Sequence, residues 1–115
     1  MNRAGPRRAA AAGRALLVLT MVLVLSGPPV AAVTPPRVGI KEFKYAPSVL
    51  KVAKGATVTW INHDEEPHTV TSATGAFAST GLANEDTFTQ TFTKPGTYQY
   101  FCALHPHMKA TVIVK

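Results

Sequence analysis

The residues best suited to chemistry lie close together near the end of the chain. Cys102, His105 and Met108 form a C-x2-H-x2-M arrangement within seven residues. A thiolate, an imidazole and a thioether make a soft donor set, and such donors favour copper over hard cations. A second imidazole, His68, follows Glu66-Pro67 at the head of an earlier β-type run. In a sandwich, two strands can bring His68 beside the Cys102 segment. Two imidazoles and one thiolate in a plane, with a weak axial Met, are the ligand set of a blue-copper electron-transfer site. Each residue also has a plainer use. A lone Cys is commonly a small core residue and Met an adaptable packer. His105 alone could be a surface histidine and His68 a satisfied core one. The plain readings must all hold at once, whereas one shared metal explains the four together. His63 and His107 read as solvated loop histidines and are not assigned to the metal; for His107 an outer metal contact is the minority reading. A single Cys excludes an internal disulfide and any zinc site needing two cysteines from one chain. Zinc would fit this set chemically, but it is redox-silent and Met is a poor zinc ligand.

The elements that must position these residues read as strands. β-branched and aromatic residues recur in short runs separated by Gly, Pro and Asn/Asp signals, with no sustained helical period. The expected strands cover residues 38–43, 48–52, 57–62, 68–72, 87–92, 97–102 and 110–115. In residues 57–62, Val58 and Trp60 share one face and Thr57 and Thr59 the other; in residues 97–102, Tyr98, Tyr100 and Cys102 share a face. Trp60, Phe88, Phe92 and Tyr98 are core candidates, with the Tyr98 hydroxyl placed to close a corner. Residues 74–84, rich in Gly, Ala and Ser, are expected to be irregular, and Asp64-Glu65-Glu66 to form a solvated turn beside His68 that could serve partner docking. About seven short strands at this spacing imply an all-β fold, an antiparallel Greek-key β-sandwich. The candidate metal loop, residues 102–108, connects its last two strands.

The N-terminus reads as an address. Arg3, Arg7, Arg8 and Arg14, with no acidic residue, precede an apolar run at residues 15–25, then Ser26-Gly27-Pro28-Pro29 and the small residues Val30-Ala31-Ala32. That order is a cleavable secretory signal peptide over residues 1–32, cut after Ala32, leaving a mature domain at residues 33–115. The eleven-residue run is short of the ~20 needed to span a bilayer, so the mature chain carries no membrane span. Four of the 12 basic residues and none of the 6 acidic ones belong to the leader, which leaves the mature domain at a net +2. The basic excess of the whole chain is therefore not a nucleic-acid footprint. A domain this small without disulfides needs a metal or very good packing for part of its stability.

The mature chain resembles the cupredoxins of the amicyanin and plastocyanin type. The resemblance is carried by Val58-Thr-Trp-Ile-Asn62, Pro67-His68, Gly96-Thr-Tyr98 and the Cys102-Ala-Leu-His105-Pro-His-Met108 loop before a Val-rich last strand. It implies a cupredoxin-like sandwich holding one type 1 copper, Cu(I)/Cu(II), on His68, Cys102, His105 and Met108. It also implies a periplasmic or secreted one-electron carrier, a monomer and not an enzyme. Its transient redox partners (a dehydrogenase, cytochrome or oxidase) would dock near His105 on an apolar patch including Leu104 and Pro106. The alternative is a copper carrier or buffer delivering the metal to an oxidase. Nitrite reductases and multicopper oxidases share the fold but need further copper sites and at least two such domains. A metal-free adhesion module leaves the 102–108 loop unexplained. Thr69 stands where many relatives have an Asn that pins the two ligand loops, Lys109-Ala110 replaces a common basic-Gly pair, and the N-terminal lead-in is short.

Overall fold

The computed structural model describes residues 4–6, 10–29 and 34–115. The chain divides into two units, Met1–Ala31 and Ala32–Lys115. In the first, the described residues form no helix or strand, and the apolar side chains from Leu16 to Leu25 are exposed. Among the described residues no helix is long and apolar enough to cross a membrane. Arg3, Arg7 and Arg8 and the expected cleavage residues Val30 and Ala32 lie outside the described residues.

Among the described residues the second unit has eight strands: β1 (Arg37–Lys41), β2 (Lys44–Ala46), β3 (Val49–Val52), β4 (Thr57–Asn62), β5 (Thr71–Ser72), β6 (Thr87–Thr91), β7 (Gly96–Phe101) and β8 (Lys109–Val114). They form two four-stranded sheets, ordered β2-β1-β4-β6 and β3-β8-β7-β5. The expected alternation holds. In β4, Val58, Trp60 and Asn62 point inward, and β7 with the residue after it buries Tyr100 and Cys102. Trp60 is fully buried, with the rings of Phe77, Phe88, Phe92 and Tyr100 at 5.5–6.4 Å between centroids. The Tyr98 hydroxyl donates to the Lys94 carbonyl at 2.7 Å and closes the corner before β7.

The sandwich differs from the expected one in three places. Two pairings are parallel, β1 with β4 and β3 with β8, because the chain crosses between sheets before returning beside an earlier strand. The strand expected at residues 68–72 shrinks to Thr71–Ser72, because His68 and Thr69 make loop contacts instead; His68 keeps only an isolated bridge to Leu82. The strand expected at residues 38–43 ends at Lys41, and the chain reverses through Glu42 and Phe43 into β2. That reversal is a two-residue hairpin turn with both central residues at positive φ, 52° and 57°. Such turns favour Asn-Gly. For ordinary L-residues the left-handed region costs about 1–2 kcal/mol each, so something outside the turn must hold it.

Candidate metal centre

The loop after β7 explains its own spacing. His105 N–H donates to the Cys102 carbonyl at 3.2 Å and Met108 N–H to the His105 carbonyl at 2.9 Å. The three-residue spacing of C-x2-H-x2-M is thus two successive tight turns. Cys102 N–H donates to the Met108 carbonyl at 3.1 Å and fastens the two ends of the loop. Cys102 and Met108 are buried, and His105 is partly exposed.

His68 comes from the other sheet's side of the fold, on a loop organised by Asn62 at the end of β4. The buried Asn62 amide donates to the Glu66 and Leu82 carbonyls at 2.9 and 2.8 Å, and its oxygen accepts the Asp64 N–H at 2.9 Å. His68 exchanges backbone bonds with Leu82 at 3.1 and 2.7 Å and is wholly buried. The loop therefore has little freedom to move the imidazole.

The two loops meet. The Nδ1 atoms of His68 and His105 stand 3.2 Å apart, and the Cys102 sulfur is 3.8 Å from the first and 3.6 Å from the second. One donor atom from each of His68, Cys102 and His105 lies within 4.8 Å of the others. The fourth sequence candidate, Met108, is brought to the same loop by the hydrogen bonds above. Two nitrogens and a sulfur converging in a largely buried place, on a loop that also carries the buried Met108, fit a soft metal ion. His63 and His107 are not part of this cluster. His63 pairs with Glu85 at 3.2 Å, and the exposed His107 ring lies 6.4 Å from that of His105.

Two residues outside the motif set the geometry. The Asp64 carboxylate accepts the His68 Nε2–H at 2.8 Å, which leaves Nδ1 of that ring as the free electron pair. It also accepts the Glu42 and Phe43 N–H groups at 2.7 and 3.0 Å, which holds the strained hairpin turn. Burial raises the Asp64 carboxyl, but the Phe43 and Glu42 N–H groups and then His68 outweigh it and keep it below its ordinary 3.8. Asp64 is therefore a structural anion and not the solvated turn residue expected. Thr69 takes over the pinning role of the absent Asn. Its hydroxyl accepts the Ala103 N–H at 2.7 Å and bonds the Thr71 hydroxyl at 2.9 Å, while its N–H points at the Cys102 sulfur at 3.3 Å. The Tyr45 hydroxyl on β2 donates to the Thr69 carbonyl. Burial, then Cys102 and then Tyr100 push that hydroxyl far above its ordinary value.

Comparison with known proteins places the chain in a family. Residues 14–114 match the cupredoxin-like domain. An amicyanin from Paracoccus versutus is 35% identical over 103 residues, covering 82% of this chain and 78% of the relative. A solved amicyanin in its reduced Cu(I) form at pH 4 aligns with a TM-score of 0.68 and 35% identity over 73% of this chain and 85% of that one. A copper-containing nitrite reductase from Thermus scotoductus reaches a TM-score of 0.68 at 28% identity, over 80% of this chain but only 25% of the reductase.

Proposed function

Since the chain belongs to the cupredoxin family, we propose that it is an exported one-electron carrier with a single type 1 copper on His68, Cys102, His105 and Met108. The observation that carries the ligand assignment is the convergence of the two Nδ1 atoms and the sulfur from two separately braced loops. Copper bound there supplies the Cu(I)/Cu(II) couple. The protein's part is to keep its donors still, so that little rearrangement accompanies gain or loss of the electron. Asn62 and Asp64 hold His68, and paired turns hold Cys102, His105 and Met108. The Thr69 N–H at the sulfur and the thioether of Met108 adjust the potential.

Electron entry and exit run through His105, the imidazole of the pair that reaches the surface. Leu104 beside it is 54% exposed, a small apolar contact of the kind that suits brief encounters with redox proteins. Similarity to amicyanins over most of both chains supports reading this chain as a carrier and not an enzyme. The basic leader at residues 1–32 supports a periplasmic or secreted location.

The test is to add Cu(II) to the protein and record its visible spectrum. An intense thiolate-to-copper band that disappears with ascorbate and in Cys102→Ser is the expected result. A colourless complex, or one indifferent to Cys102→Ser, refutes the assignment. Mixing the Cu(I) form with a metal-free oxidase domain separates carrier from copper donor: the carrier keeps its metal.

A further inference from the structure

The feature left unexplained by the donor set is Phe43. It is a large apolar side chain, 39% exposed, on a turn whose backbone disfavours it. Its ring is not loose on the surface. It stands edge-on to His68, with centroids 5.0 Å apart and planes at 86°, and edge-on to His105, at 4.9 Å and 84°. The two imidazoles lie 5.0 Å from one another with their planes at 63°, so the three rings form one packed cluster in which Phe43 is nearly perpendicular to both. The turn that carries Phe43 is clamped by the carboxylate that also holds His68: Asp64 Oδ2 accepts from both Phe43 N–H and His68 Nε2–H. A non-Gly residue in the left-handed region persists where its surroundings over-determine it, and such residues gather at functional sites. Here a hairpin of edge strand β2 has been bent, against local preference, to lay an aromatic ring over both imidazoles.

We infer that Phe43 is a positioning residue of the metal centre: its ring holds the His105 imidazole in the inward orientation and closes the solvent side of the histidine pair. His68 is already fixed by Asp64 and by complete burial. His105 is partly exposed, and among the described residues its ring nitrogens make no hydrogen bond outside the donor cluster, so ring packing is what restrains its rotation. A T-shaped pair of rings has a preferred geometry that a flexible aliphatic chain does not reproduce. Removing the ring leaves the donors in place but lets His105 swing outward and admits water to the metal. This inference rests on the copper reading above.

The experiment compares Phe43→Ala, Phe43→Leu and Phe43→Tyr with the parent protein. Two readouts are taken. The first is the rate at which excess EDTA removes Cu(II), followed through the thiolate band. The second, on metal-free protein, is the NMR side-chain couplings of His105 and the cross-peaks from ring 43 to both imidazoles. Expected are copper release at least tenfold faster in the Ala and Leu variants, parent-like release in the Tyr variant, and one His105 rotamer in parent and Tyr but averaging in Ala. Thermal melts of the metal-free variants establish that each is folded, and Leu, which keeps apolar bulk, covers the case in which Ala does not fold. Parent-like release in Leu overturns the inference, as does a parent protein in which His105 already averages. A parent protein that forms no thiolate band refutes the copper reading itself; the rotamer measurement still tests the ring's hold on His105.

Discussion

Single side chains here serve several structural roles, and that is why the plain sequence undersold them. Asp64 sits in a run of three acidic residues that looks like a solvated turn, yet its carboxylate joins the β1–β2 hairpin to His68. Its partners at positions 42 and 43 are more than twenty residues away, beyond any local pattern. Tyr45 is a second case. It falls between the strands expected at residues 38–43 and 48–52, yet it is buried in β2, with its hydroxyl on the Thr69 carbonyl and its ring 4.8 Å from that of Tyr100. Burial pushes Tyr100 up to about 12, and Tyr45 higher still. The unfolded chain ionises both near 10.0, while the folded chain keeps them neutral. A group raised in the folded state stabilises fully below its unfolded value and loses that contribution as pH climbs through the folded one. Stability measured by urea unfolding should therefore fall steadily above pH 10. Tyr45→Phe should start about 1 kcal/mol lower at pH 7, for the lost hydrogen bond, and decline less steeply in alkali. Parallel curves for the two proteins would show that Tyr45 is not responsible.

At the scale of elements, the legible parts were those written in contiguous sequence. The C-x2-H-x2-M loop could be read because its spacing is its geometry, two tight turns in a row. The inward faces of β4 and β7 could be read from alternation. The turn at Glu42-Phe43 could not, since neither residue signals positive φ and the stabilising carboxylate comes from another loop. Nor could the parallel pairings, which depend on where crossovers land. The tie between the two ligand loops was the open question, because Thr69 replaces an Asn. The hydroxyl meets the need: it accepts the Ala103 N–H from the Cys102 loop. Thr69→Val keeps the shape and removes the acceptor, stranding that N–H. A loss of about 1 kcal/mol follows from the lost, partly buried hydrogen bond, together with a shifted thiolate-to-copper band. Thr69→Ser should retain most of both. A Val variant that melts with the parent and keeps its spectrum would remove Thr69 from the loop junction.

For the molecule as a whole, the donors are already assembled by hydrogen bonds that do not involve a metal: Asn62 to Glu66 and Leu82, Asp64 to His68, Thr69 to Ala103 and Cys102 to Met108. The metal-free protein should consequently melt cooperatively, as a folded sandwich around Trp60. Copper, binding only the folded form, should raise that transition. At a hundredfold excess over its dissociation constant the gain is about 2.7 kcal/mol, which for a domain of this size is about 10–20 °C. Calorimetry with and without Cu(II) checks both statements, and the absence of any cooperative transition without metal would show that the site is not built in advance. The closure of residues 102–108 by Cys102 N–H on the Met108 carbonyl reaches further. It makes that stretch an interchangeable insert between β7 and β8, whose six paired positions hold irrespective of what they carry at their tip. Natural variation or a graft of different length can thus alter how strongly the ion prefers one oxidation state while the body of the protein stays the same.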